Sequence, residues 1–132
     1  FNAGFSTGKP WMKVNPNYTT INVAADLQNP DSVLNYYKEM IQLRKANLTL
    51  VYGKYQLILP RHKEIYAYTR TEGDDTILVV ANLKGEPTTF KAPRGLKYKA
   101  TELLIATETV DGHENPRNFD LKPYEARVYR LK

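Results

Sequence analysis

Ile65-Tyr66-Ala67-Tyr68-Thr69-Arg70, then Glu72-Gly73-Asp74-Asp75, then Thr76-Ile77-Leu78-Val79-Val80-Ala81-Asn82: two runs of β-branched and aromatic residues flank a Gly-Asp step. Such side chains fit a pleated, half-buried surface, and a short Gly-Asp connection turns one strand back onto the next. The stretch predicts an antiparallel hairpin. Working outward, Tyr55-Gln56-Leu57-Ile58-Leu59 reads as a strand before it, and weaker candidates follow at 87–91, 97–105, 107–110, 117–121 and 126–131. Short strands recurring at roughly ten-residue spacing predict a sandwich or a barrel. No pattern of long ligand-barrel strands occurs, so the expected class is mainly β, an antiparallel β-sandwich.

Towards the N-terminus the pattern changes. Residues 29–47 predict the single helix of the chain: Asn29 as cap, Pro30 at the first position, Asp31 near the positive end, Arg44 and Lys45 near the negative end. Val33, Tyr37, Met40, Ile41 and Arg44 recur at spacings of three and four, which gives the helix one mostly apolar face that needs a partner surface. Residues 1–28 carry Gly4, Gly8, Pro10 and Pro16 among several Asn and Thr and predict a long loop. A loop of that length usually serves a function or belongs to a larger body. The boundary falls near residue 48, giving domains 1–48 and 49–132.

With 132 residues and 42% apolar content the chain can bury one core. It has no cysteine, hence no disulfide framework and no thiolate chemistry. No stretch reads as a signal peptide or a spanning helix, so no membrane association and a cytoplasmic setting are expected. The first residue is Phe1 rather than Met, which predicts a piece of a longer polypeptide. The net charge of +5 is spread along the length and interrupted by Glu72, Asp74, Asp75, Glu102, Glu108 and Glu125, which argues against a nucleic-acid partner.

Several ordered segments carry a resemblance: Asn2-Ala3-Gly4-Phe5-Ser6-Thr7-Gly8-Lys9-Pro10-Trp11, Val14-Asn15-Pro16-Asn17-Tyr18, Leu50-Val51-Tyr52-Gly53-Lys54-Tyr55, Leu78-Val79-Val80-Ala81-Asn82-Leu83 and Leu121-Lys122-Pro123-Tyr124-Glu125-Ala126. In order and spacing the chain resembles the tail of the oligo-1,6-glucosidase branch of glycoside hydrolase family 13, the alpha-amylase superfamily. The resemblance implies a loop and the eighth helix of a (β/α)8 barrel followed by a C-terminal β-sandwich of the alpha-amylase type. It also implies a parent enzyme that hydrolyses alpha-glucosidic bonds of short oligosaccharides with retention, a chemistry that needs two carboxyl groups about 5 Å apart. The motifs that supply those groups lie upstream in the family, so the resemblance assigns no catalytic residue and no cofactor to residues 1–132. It implies the upstream barrel as partner, with oligosaccharide bound only in the intact enzyme.

Trp11, Asn15, Asn17 and Tyr18 are the candidate barrel-rim residues; the alternative is that the two rings pin the loop and the two amides cap backbone groups. Glu72, Asp74 and Asp75 read as a solvated turn, not an acid–base pair. Asp111, His113 and Glu114 match neither a zinc nor a calcium spacing, so no metal is expected. His62 reads as a surface residue. Asn17-Tyr18-Thr19 and Asn47-Leu48-Thr49 fit the N-glycosylation pattern, which means little without a secretory signal. Tyrosines in 65–70 and 124–129 suit sheet packing or, alternatively, a sugar-binding platform. The leading expectation is an accessory region of an alpha-glucosidase that, isolated, self-associates through helix 31–45; an independent carbohydrate-binding sandwich is the alternative.

Overall fold

The computed structural model describes residues 2–132. Contacts divide the chain into two units, Phe1–Gln42 and Leu43–Lys132, with the division falling inside a helix.

The first unit is not a plain loop. It holds 3-10 turns at Asn2–Gly4 and Pro16–Thr19 and a short helix α1, Val23–Gln28. Asn22 caps α1: its side chain accepts a hydrogen bond from the Ala25 amide at 2.9 Å. The long helix α2 runs Val33–Ala46, starting three residues later than the first position expected at Pro30. Asn29 instead closes α1 and accepts the Asp31 amide at 3.0 Å, so Pro30 and Asp31 lie outside the helix. The cap is buried Ser32, whose hydroxyl accepts the Asn35 amide at 3.2 Å and donates to the Asp26 carbonyl at 2.8 Å. A serine that satisfies both α1 and α2 outcompetes an asparagine that serves only its own turn. The apolar stripe of α2 is open, with Val33 82% and Tyr37 59% exposed.

In the second unit a further helical turn, α3 (Thr49–Tyr52), precedes the strands. The expectation of a single helix is therefore corrected. Seven strands follow: β1 Lys54–Leu57, β2 Ile65–Glu72, β3 Asp75–Asn82, β4 Thr88–Lys91, β5 Thr101–Ala106, β6 Asn118–Leu121 and β7 Ala126–Leu131. All pair antiparallel, in a five-stranded sheet of order β1-β2-β3-β7-β5 and a two-stranded sheet β4-β6. The expected strand at 107–110 is absent. There the Thr107 amide donates to Ala126 and its hydroxyl accepts the Ala126 amide at 3.0 Å, which ends the ladder.

The opening hairpin has Glu72 opposite Asp75, leaving a two-residue turn with Gly73 at φ +56°. Glycine takes that left-handed conformation without a Cβ clash, as the first central position of a type II′ turn requires. Alternation then sorts the side chains. Ile65, Ala67, Leu78, Val80, Tyr129 and Leu131 of the large sheet meet Phe90, Phe119 and Leu121 of the small one in a single core. The Phe90 and Phe119 ring centroids lie 4.9 Å apart and those of Phe119 and Tyr129 5.7 Å apart, both pairs tilted. This is the β-sandwich the strand pattern predicts.

Candidate functional site

Of the four rim candidates, Trp11 is 86% exposed and Tyr18 half-buried. Asn15 caps the second 3-10 turn, its side chain accepting the Asn17 amide at 3.3 Å. Asn17 closes the same turn through its carbonyl, which accepts from Thr20 and Ile21 at 2.9 and 2.8 Å. Tyr18 lines a shallow hollow of about 650 Å³ with Ala3, Ile21, Asn22 and Val23. The structure thus brings Asn15, Asn17 and Tyr18 into one turn and leaves the Trp11 ring free.

The face of the large sheet that points away from the core is the more developed surface. Cross-strand register places Tyr55, Arg70, Ile77, Arg130 and Glu102 in one row, and Leu57, Tyr68, Val79 and Val128 in the next. The middle of the first row, around fully buried Ile77, is covered by the segment that carries α3. Thr49 donates to Asp75 at 2.5 Å, Arg130 donates to the other oxygen of Asp75 at 2.9 Å and also to the Asn47 side chain, and Arg70 donates to the Val51 carbonyl at 3.3 Å. Arg44 donates to the Leu50 carbonyl. Asp75, expected as part of a solvated turn, is instead the acceptor that fastens α3 to β3. Asn47 is likewise engaged: its amide donates to Leu43 at 2.8 Å, and the hydroxyl-bearing Thr49 of the same tripeptide is buried.

The rest of that face is open and aromatic. Tyr55 and Tyr66 are 46% and 41% exposed and their hydroxyls lie 3.1 Å apart. Tyr68 sits between them, centroids 5.2 and 5.4 Å away at tilts of 39° and 52°. Burial, reinforced by Tyr66, raises the Tyr68 phenol above its ordinary value. Rings tilted against one another cover apolar area but offer no flat shelf to a pyranose.

Inside the sandwich lies a group that no motif announced. Arg127 is 3% exposed and sits between the sheets on the core side of β7. It pairs with Glu125 at 2.5 Å and with Glu114, reaches the Tyr129 hydroxyl at 3.3 Å and the Asp120 carbonyl at 2.9 Å, and lies 4.8 Å from the Phe119 ring centroid. Burial works against its charge. The bonds to Glu125, Tyr129 and Glu114 more than offset that and raise its pKa. Glu125 is itself 1% exposed and accepts the Lys122 amide at 2.7 Å. The loop residue Glu114, which the sequence grouped with Asp111 and His113, is therefore an anchor for 107–117; Asp111 accepts the His113 amide at 2.9 Å. The usable signal was parity, since Arg127 alternates in step with Tyr129 and Leu131. His62, expected at the surface, is exposed and folds its Nδ1 onto the Ile65 amide at 2.9 Å.

Among the described residues no helix is long and apolar enough to cross a membrane. Residues 1–53 match the family of the alpha-amylase catalytic domain and residues 55–128 the maltogenic amylase C-terminal domain. An oligo-1,6-glucosidase of Parageobacillus thermoglucosidasius is 47% identical over 99% of the chain. Among solved structures, isomaltulose synthase from a Klebsiella species superimposes with a TM-score of 0.87 at 42% identity over 99% of the chain and 23% of its own. Trehalose-6-phosphate hydrolase from Bacillus licheniformis does so with a TM-score of 0.90 at 39% identity over 98% and 24%. The chain spans 23% of the length of the glucosidase it matches. With sandwich, topology and both family matches in agreement, the chain belongs to the alpha-amylase superfamily, glycoside hydrolase family 13, in its oligo-1,6-glucosidase-like branch, and residues 55–128 are its maltogenic-amylase-type C-terminal domain.

Proposed function

We propose that this chain is the non-catalytic C-terminal region of an alpha-glucosidase that hydrolyses terminal alpha-1,6 or related bonds in short oligosaccharides with retention. The observation that carries the reading is the seam between the two families at residues 53–55, where α3 ends at Tyr52 and β1 begins at Lys54. On this reading 1–48 supply the last barrel loop and eighth barrel helix, and 49–132 form the accessory sandwich. The open stripe of α2 and the tyrosine face of the large sheet are surfaces that a larger body covers. Among the described residues, Glu114 and Glu125 are both held by Arg127, and Glu125 is sealed from any sugar. The work is done in the cytoplasm. The 132-residue chain alone self-associates through 31–45, which covers the stripe.

The test is to assay the full polypeptide and residues 1–132 side by side on isomaltose, following the anomer released by NMR. The full polypeptide releases the alpha anomer and the isolated chain releases nothing. Turnover by the isolated chain sinks the proposal. A carbohydrate-binding role for the sandwich has one observation in its favour, the exposure of Tyr55 and Tyr66. Calorimetric titration with isomaltose decides it: saturable heat abolished by Tyr55→Ala with Tyr66→Ala supports binding, and its absence leaves the accessory role.

A further inference from the structure

Basic residues that are dispersed in the sequence converge in space at one end of the sandwich. Arg94, Lys97 and Lys99 from the β4–β5 connection, Arg117 before β6 and Lys132 after β7 line an open concavity of about 600 Å³ around Tyr98. The backbone beneath them is tied down. The Lys99 and Ala100 amides donate to the Lys132 carbonyl at 2.7 and 2.9 Å, and Lys132 returns a bond to Ala100 at 2.8 Å, which carries the β5–β7 ladder up to the rim. The Tyr98 hydroxyl donates to the Pro116 carbonyl at 2.7 Å. Arg117 lies over the Tyr98 ring, 4.7 Å from its centroid, and donates to the Leu96 carbonyl at 3.0 Å.

The guanidinium is thus fixed by stacking and by one hydrogen bond, with the remaining donors of its fork uncommitted. Of the five cations, Lys132 is paired, to Glu102 at 2.7 Å, and this partner lowers the Glu102 carboxyl below its usual range. Among the described residues no carboxylate lies within ion-pair reach of Arg94, Lys97, Lys99 or Arg117. Like charges gathered in one hollow repel one another and focus a positive potential into it. A half-buried, stacked guanidinium beside exposed ammonium groups suits a compact anion with several charged oxygens, which the fork holds by geometry and the lysines by charge. A single carboxylate would meet one cation and leave the others unbalanced.

We propose that this concavity binds a compact multivalent phosphate-type oxyanion. The site is separate from the tyrosine face of the large sheet, and the inference does not depend on the proposed glucosidase role.

Isothermal calorimetry of the intact protein with sodium tripolyphosphate at low ionic strength tests it. Saturable one-site binding is expected, about tenfold weaker in Arg94→Gln with Lys97→Gln and weakening as salt is added. The control pair, Lys63→Gln with Lys84→Gln, lies at the opposite end of the sheet beside Ile65 and Asn82 and should leave binding unchanged. Equal loss in the control pair would show general charge attraction and overturn the site. No heat with tripolyphosphate overturns it as well. A single-stranded oligonucleotide of equal charge that binds more tightly than tripolyphosphate, through the same residues, would replace the small anion with a nucleic acid and reject the proposal as stated.

Discussion

At the scale of single residues, two positions carry more than their type suggests. Gly53 joins α3 to β1, and a Cβ there would lie 2.4 Å from the Thr49 carbonyl oxygen and 3.1 Å from the Thr71 nitrogen. Both are backbone atoms that cannot swing aside. Gly53→Ala is therefore expected to destabilise the sandwich by about 1–3 kcal/mol. Gly112→Ala, where nothing lies within 4 Å, should stay within about 0.5 kcal/mol of the parent. Urea midpoints of the two variants measure the difference; equal midpoints would refute the steric reading. Arg127 is the second position. Replacing it by Met leaves Glu125 buried and without its cation, a loss of about 3–5 kcal/mol. Adding Glu125→Gln removes the stranded charge and should recover part of it. If the double variant is no more stable than Arg127→Met, charge burial is not the cause.

At the scale of elements, α3 depends on polar fastening as much as on burial. Asp75 receives Thr49 and Arg130 on its two oxygens. Asp75→Ala removes both bonds and is expected to destabilise by about 1–3 kcal/mol. Hydrogen exchange should show faster exchange for Leu50 to Tyr52 and unchanged protection for β6, whereas uniform loss would mean that α3 and the sandwich open together. The same element shows where sequence reading stops. Thr49-Leu50-Val51-Tyr52 is β-rich in composition, and its helical turn exists because Leu50 finds cover against the sheet and the polar bonds fall into place. β2 and β3 were legible because each is an eight-residue run rich in β-branched or aromatic side chains around a Gly-Asp turn, whereas the shorter β7, six residues long, gave a weaker signal. β5 began later than expected and bulges between Leu103 and Ile105, a register change that no local pattern records. The helix cap was misplaced because Ser32 and Asn29 are equally good caps by type; only the position of Asp26 in space decides between them. The rim candidates were legible as a turn, Asn15 to Tyr18. Arg127 was not, since its partners come from 114 to 129 and a charge in a strand reads as outward-facing.

At the scale of the whole molecule, burial has a consequence for pH. Tyr36, Tyr68, Tyr98 and Tyr129 are all raised above the ordinary value of 10.0, chiefly by burial. Folding therefore favours their neutral forms. That contribution is complete below the unfolded pKa and is lost as pH rises through the higher folded values. Urea midpoints should hold through neutral pH and fall above about pH 10, while ultraviolet titration finds these phenols ionising late. Ionisation of all tyrosines at the ordinary value, with no fall in stability, would contradict the burial assigned to them. A larger consequence concerns the surfaces left open. Val33 and Tyr37 on α2 and Tyr55 and Tyr66 on the large sheet are exposed in a chain that makes up 23% of its glucosidase relative. Each such side chain is worth about 1.5–3 kcal/mol when fully covered. If the remainder of the polypeptide covers them, Val33→Lys and Tyr66→Lys must act differently in the two contexts. In residues 1–132 alone each should shift the sandwich's stability by no more than about 0.5 kcal/mol, as exposed substitutions do. In the full polypeptide each strands an ammonium group against an apolar partner and lowers the thermal midpoint, by no more than about 2–4 °C per kcal/mol because the shift shrinks as a body grows. Thermal scans of both forms make the comparison, with light scattering on the short form. There Val33→Lys should also reduce self-association, because the stripe is then covered by its counterpart on a second copy. Equal effects in the two contexts would mean that nothing outside residues 1–132 rests on these faces, and the accessory role would lose its physical basis.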